Sequence, residues 1–240
     1  MKTKNLIHLI LLLPFFLNAC GILSTRGSGN VQTESREIHD FDRVIVSGTS
    51  ELSITQGETE SLTVTADNNL MRYIETDVRD GTLYIRNKEG ISPSQPIQFK
   101  LTVKEVVVLD ISGIVNAETG DIATKQLDIF VSGTSTLQMG SLDTQKLTVH
   151  LNGSTKVELT GPGETVEQRI LMNGSNTYYA PELRIQSVDI NTSGSNSATV
   201  WATEFLNIDT SGMGNVDYYG NPQVTQSGSG NTNINGLGNP

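Results

Sequence analysis

Apolar and polar residues alternate through most of the chain, and in its second half the alternation is phased to a recurring glycine. Two and four residues before the glycine stand Val131 and Ile129, Leu151 and Val149, Met172 and Ile170, Thr192 and Ile190, then Thr210 and Ile208. Four and six residues after it stand Leu137 and Met139, Val157 and Leu159, Tyr178 and Ala180, Ala198 and Val200, then Val216 and Tyr218. A period of two is the mark of a half-buried strand. The positions between, with Asp128, Thr148, Arg169, Asp189 and Asn207, suit a solvent face. Each repeat reads as a strand, a tight turn at Ser-Gly or Asn-Gly, a second strand and a looser connection.

The repeat glycines are Gly113, Gly133, Gly153, Gly174, Gly194, Gly212 and Gly228, spaced 20, 20, 21, 20, 18 and 16 residues apart, with an isolated earlier copy at Gly48. A tight turn that follows strand twist needs positive φ, which glycine adopts without steric cost. Such turns commonly join antiparallel hairpins, so an antiparallel meander or sandwich is one reading. The constant apolar offsets favour another, in which identical units stack glycine on glycine. The expected fold is therefore all-β: a right-handed parallel β-helix, a flattened solenoid of about 20 residues per coil, over residues 109–235, with an N-terminal β-rich capping lobe.

That lobe, residues 38–108, loses the repeat but keeps strand patterning at Val44-Ile45-Val46, Leu52-Ser53-Ile54, Leu62-Thr63-Val64, Leu83-Tyr84-Ile85 and Phe99 to Val103. Gly57, Asp80-Gly81 and Gly90 mark turns. The segment Asp67 to Ile74 reads as the one helix, with Asp67 as its cap and Leu70, Tyr73 and Ile74 on one face. Pro93 and Pro96 mark a loop. The tail, residues 236–240, and the polar stretch before it from Asn231 are expected to fray.

The start of the chain is a targeting pattern. Lys2 and Lys4 precede an apolar run from Leu6 to Leu17, which contains Pro14 and is short for a bilayer span. Residues 1–19 read as a lipoprotein signal peptide, ending at Leu17-Asn18-Ala19-Cys20. This resembles a bacterial lipobox, which implies lipidation at Cys20 and a membrane anchor. Cys20 is the only cysteine, so no disulfide frame is available within one chain. Residues 20–37, rich in Gly, Ser and Thr from Gly21 to Thr33, read as a flexible tether. Without Lys2 and Lys4 the mature chain holds 14 basic and 26 acidic residues, a net charge of −12. That acidity argues against nucleic acid as a partner.

Three stretches carry a family resemblance: Phe41-Asp42-Arg43-Val44-Ile45-Val46-Ser47-Gly48, Leu62-Thr63-Val64-Thr65-Ala66-Asp67-Asn68 and Asp80-Gly81-Thr82-Leu83-Tyr84-Ile85. With the repeated Ser-Gly turns they resemble the "putative auto-transporter adhesin, head GIN domain" family, over Ile38 to about Asn235. The resemblance implies a lipoprotein or secreted protein of Bacteroidota. It further implies a β-helix shaped like pectin lyases without their catalytic residues, and a role in adhesion.

Chemistry is sparse. Asp110, His150, Asn191 and Asp209 lie three residues before repeat glycines, and Asp128, Arg169 and Asp189 five before. A polysaccharide lyase needs a base, a cation for the uronate and often Ca²⁺ held by carboxylates. These columns are interrupted by Phe130 and Leu171 and hold one arginine, so they read as solvated strand face. His39 and His150 are the only histidines of the mature chain. No nucleophile elbow or phosphate loop is found, and no catalytic residue, metal site or cofactor is expected. Tyr179, Trp201 and Tyr219 fall at outward or turn positions on adjacent repeats, where aromatics can stack on sugar or enter an interface; packing beneath the connections is the plainer alternative. The expected function is a non-enzymatic, lipid-anchored module of the cell envelope, at the outer membrane. It would bind a glycan or an envelope protein, with a homo-oligomer open. A polysaccharide lyase or hydrolase, and a purely structural envelope protein, remain as rivals.

Overall fold

The computed structural model describes residues 24–240 except Glu89. The signal segment, Cys20 and the first residues of the expected tether therefore lie outside the described residues. The N-terminal part contains β1 (Thr25–Arg26), β2 (Val31–Arg36), β3 (Arg43–Gln56), β4 (Ser61–Asp67), β5 (Ile74–Arg79), β6 (Thr82–Asn87), β7 (Ile91–Ser92) and β8 (Gln98–Val103). There follow β9 (Val108–Thr119), β10 (Ile122–Ala123), β11 (Gln126–Gly133), β12 (Thr136–Met139), β13 (Leu142–Asp143), β14 (Lys146–Gly153) and β15 (Lys156–Leu159). The chain closes with β16 (Gly163–Thr210), β17 (Met213–Tyr219), β18 (Gln223–Gly228) and β19 (Asn231–Gly238).

All-β character is as expected, but the arrangement of the strands is not a β-helix solenoid. The strands β9, β11, β14, β16, β15 and β12 pair in that order, β12 pairs back to β9, and every one of these pairings is parallel. The result is a closed six-strand parallel β-barrel with the other strands outside it. This overturns the stacked coils and with them the assigned hand. The cause lies at the glycines. In β9 and β16 the strand runs through the Ser-Gly pair unbroken, so one strand offers its first half to one series of partners and its second half to another. Between them the chain breaks just after the glycine of each repeat, separating β11 from β12 and β14 from β15, and breaks again on either side of the short β13. The two long strands thus join both series, and the ring closes.

The faces fall as the alternation requires. Ile129, Val131, Leu137, Met139, Val149, Leu151, Val157, Leu159, Ile170, Met172, Tyr178 and Ala180 are buried. They belong to one hydrophobic core that runs from Ile38 to Val216. At about 25 cal/mol per Å² of apolar surface, each fully buried aliphatic side chain contributes about 1.5–3 kcal/mol before entropy is counted. Register is fixed strongly, because a slip of one residue would turn this whole set outward. A buried polar ladder accompanies it two residues after the glycines. Thr155 Oγ1 donates to Asn176 Oδ1 (2.7 Å), and Asn176 Nδ2 donates to Asn196 Oδ1 (2.9 Å). Satisfied in this way, these groups avoid the cost of desolvated polar atoms.

The glycines form a column. Gly48 pairs with Gly113, Gly133 with Gly153 and Gly153 with Gly174. Gly153 has φ +103°, and a Cβ there would lie 2.6 Å from the Gly133 carbonyl oxygen. That same oxygen accepts the Ser154 N–H at 2.9 Å. The last member of the column is not the expected one: Gly228 pairs with Thr210, and it is Gly230 that approaches Gly212. The spacing of 18 from Gly212 to Gly230 continues the preceding interval, whereas the 16 to Gly228 breaks it.

The N-terminal strands differ from the sequence reading in two places. β3 pairs in parallel with β9 in unbroken register from Arg43↔Val108 to Ile54↔Thr119, while β2 and β8 flank β4 in antiparallel fashion. The expected tether holds β1 and β2, because Val31–Arg36 finds a partner edge in β4 that composition does not reveal. The expected helix at Asp67 to Ile74 is a single 3₁₀ turn, Met71–Tyr73, without a side-chain cap. Asp67 instead accepts the Gly29 N–H at 2.7 Å, the Ser94 N–H at 2.8 Å and the Ser94 hydroxyl at 2.7 Å. A buried carboxylate so bonded ties three segments together. The expected frayed tail carries β19, a strand with mostly exposed residues.

Those hydrogen bonds, the Ser94 hydroxyl first, hold the Asp67 carboxyl below its ordinary value of 3.8. A depressed folded-state pKa stabilises above the unfolded value, and the contribution is lost as pH falls through the folded one. Asp67→Asn should therefore lower the denaturant midpoint by a constant amount above about pH 5, with the gap from wild type closing in acid. A gap independent of pH would contradict the assigned role.

Candidate functional site: a polar strand face ending in aromatics

The parallel pairings bring together polar residues that are far apart in sequence. Three residues after the glycine position, Glu51 of β3 faces Gln98 of β8 and Asn116 of β9, and the row continues through Thr136, Lys156 and Thr177. Five residues after it, Ser53 faces Lys100 and Glu118, followed by Gln138, Glu158 and Tyr179. Neighbouring strands stand about 4.8 Å apart, and alternate residues on one strand about 7 Å apart. The two rows therefore form a grid of donors and acceptors at roughly the spacing of hydroxyls along a polymer. Between them lies an open recess of about 580 Å³, running from β3 and β8 to β15.

Local bonds orient the grid. Gln98 Nε2 donates to Glu51 Oε2 at 2.9 Å, and Thr136 Oγ1 donates to Asn116 Oδ1 at 2.9 Å. Lys156 Nζ and Glu158 Oε1 form an ion pair at 2.8 Å. The recess holds Lys100 and Lys156 against Glu51, Glu118 and Glu158, so its charge is mixed and nearly balanced. These two rows are absent from the sequence reading, which follows the columns before the glycine. The same offset counting applied after it finds them.

The expected aromatic group is divided. Tyr179 is 42% exposed and sits beside Glu158 at the end of the polar face. Trp201 of β16 and Tyr219 of β17 are direct strand partners and half-buried. Asn176 and Asn196 are bonded to each other. That register sets Tyr179 level with Thr199, two residues before Trp201 and on the same strand face. The aromatics thus border one side of the polar face without forming a single cluster. Phe205, 47% exposed, stands apart on the next segment of β16.

The columns before the glycine carry less. Phe130 and His150 stack with ring centroids 4.6 Å apart and planes 14° from parallel. Burial pushes the His150 imidazole below its ordinary value, Arg169 adds to the fall, and Asp128 opposes it. Burial raises the Asp110 carboxyl. Arg169, Asp189, Asn191, Asn207 and Asp209 line a shallow recess of about 330 Å³, in which Asn207 Nδ2 donates to Asp189 Oδ1 at 2.8 Å. His150, the column's one imidazole, does not line that recess. Among the described residues no group of His, Cys, Asp and Glu is placed to hold a metal ion, and no helix is long and apolar enough to cross a membrane.

Comparison with known proteins agrees with this architecture. No curated protein matches the chain. Crystal structures of the same fold include a putative adhesin from Bacteroides fragilis, 20% identical, with a TM-score of 0.81 over 89% of this chain and 100% of that one. A putative lipid binding protein from Parabacteroides distasonis is 24% identical, with a TM-score of 0.69 over 89% of this chain and 99% of that one. A putative adhesin from Parabacteroides merdae is 21% identical, with a TM-score of 0.68 over the same shares. At these identities the likeness establishes the fold alone. The family model described as "Putative auto-transporter adhesin, head GIN domain" matches residues 40–222, and the chain belongs to that family.

Proposed function

We propose that the protein is a non-enzymatic binding module of the cell envelope that holds a neutral glycan on the polar face of β3, β8, β9, β12 and β15. The observation that carries this reading is the grid itself: two rows of amide, hydroxyl and carboxylate groups, closed at one end by exposed Tyr179. Amides and carboxylates bind vicinal hydroxyls through paired hydrogen bonds, and an aromatic ring supplies the flat apolar surface that covers the C–H face of a sugar. Balanced charge favours a neutral polymer over a polyuronate. Membership of an adhesin family is consistent with a binding role.

A glycan array probed with the purified chain tests the proposal. Neutral oligosaccharides are expected to bind, competed by excess ligand and weakened by Asn116→Ala. Binding confined to uronates, or no binding at all, would reject it. Release of product from an acidic polysaccharide, lost in Asp189→Asn, would replace it with the lyase reading.

Attachment to the envelope belongs to the same proposal. The lipobox-like Leu17-Asn18-Ala19-Cys20 supports acylation of Cys20 and anchoring in the outer membrane. Cys20→Ser is expected to abolish palmitate labelling and to release the protein from membranes; labelling that persists in the variant would refute the anchor.

A further inference from the structure

The strand array ends at β18 and β19, and that end differs chemically from the rest of the molecule. β18 pairs along one side with Phe205–Thr210 of β16, and β19 along one side with β17; among the described residues neither strand has a partner on its other side. A bare strand edge is a row of unpaired N–H and C=O groups, and natural proteins usually blunt it with charge, proline or a bulge. Here no charged residue follows Asp217, in a chain whose net charge is −10. The single irregularity lies at the far end of β19, so Asn231 to Gly236 pair without interruption. The core also runs out to this edge. Val224 stands opposite buried Leu206 and Ile234 opposite buried Val216, yet Val224 is 37% exposed.

We infer that this edge joins a second copy of the chain, with β18 and β19 of one protomer pairing against the same strands of its partner about a two-fold axis. A two-fold interface requires a surface complementary to itself. Gln223, Gln226, Asn231, Asn233 and Asn235 meet that condition, because an amide donates and accepts at once. A strand without charge can approach its own copy without repulsion. The nearest carboxylates, Asp209 and Asp217, lie one strand back, opposite Ser227 and Asn235, and Asp217 accepts the Asn235 amide at 2.9 Å. A partner of different chemistry would be selected by complementary charge, and the edge offers none.

Sedimentation velocity on the full chain in detergent, over a concentration series, tests this. An edge of this size should give a dissociation constant of about 10–100 μM. Thr225→Lys combined with Asn233→Lys places charge on both strands and should weaken the dimer at least tenfold, with far-UV circular dichroism unchanged. Lysines at exposed Gln126 and Gln145 should leave it intact. Hydrogen exchange on the wild type is an independent readout, since amides in 223–228 and 231–236 should slow as concentration rises. A monomer at about 1 mM (roughly tenfold above that range), a dimer indifferent to the edge lysines, or exchange independent of concentration would each overturn the inference.

Discussion

Gly153→Val is expected to lower stability by about 3–5 kcal/mol. Two costs add. Valine at φ +103° is strained by about 2–3 kcal/mol. Its Cβ would also stand 2.6 Å from the Gly133 carbonyl oxygen, and relieving that overlap means displacing backbone that carries a ladder hydrogen bond. The displacement costs about 1–2 kcal/mol more. Gly29 separates the two terms, because it has φ +78° and nothing stands within 4 Å of where its Cβ would lie. Gly29→Ala should therefore cost only about 1 kcal/mol. Lys156→Ala, which removes an exposed ion pair to Glu158, should fall within about 0.5 kcal/mol. Denaturant midpoints measured at fixed slope decide the matter, and equal shifts for Gly153→Val and Lys156→Ala would show that the glycine column does not hold the strands in register.

Tyr179→Ala is expected to weaken glycan binding at least tenfold, or about 1.4 kcal/mol, as titrated with the best array ligand. Its ring is the most exposed of the three aromatics singled out by sequence and the only one in line with the polar rows. Trp201→Ala should have a smaller effect on affinity and a larger one on stability, because Trp201 is half-buried against its strand partner Tyr219. Asp189→Asn and His150→Ala, on the columns before the glycine, should leave binding unchanged. Loss of binding in Asp189→Asn with none in Tyr179→Ala would move the site to the other face.

Both predictions rest on features that are legible in the chain to different degrees. From Gly48 to Gly194 the glycine column can be read directly, because each of these members adopts the same positive φ. Its end cannot, since Gly212 and Gly230 do not adopt it and Gly230, not Gly228, continues the stack. The polar face is encoded with equal regularity, but its residues are chemically mixed: Glu51, Asn116, Thr136 and Lys156 share no type. A column of unlike residues signals nothing until strand pairing sets its members side by side. Asp67 shows the opposite failure. A local rule makes it a helix cap, yet its partners are Gly29 and Ser94, which lie far away along the chain.

The strand faces are written into the chain before any strand has a partner. A period of two decides which side chains point inward, from Ile129 to Val216, because consecutive residues of a strand must project to opposite sides. Register is written there too, since only glycine tolerates the approach of the preceding glycine's carbonyl. How the strands close is a different kind of property. Whether β9 and β16 stop at their glycines or run through them is not a local matter at Ser112-Gly113 or Asn173-Gly174; Ser132-Gly133 has the same composition as the first and ends its strand. The outcome depends on hydrogen bonds that each half of a long strand finds on two different neighbours, and those bonds exist only once the chain has folded. For the same reason Val31–Arg36, polar enough to read as a tether, is a strand: the exposed edge of β4 supplies the partners that its own composition does not announce.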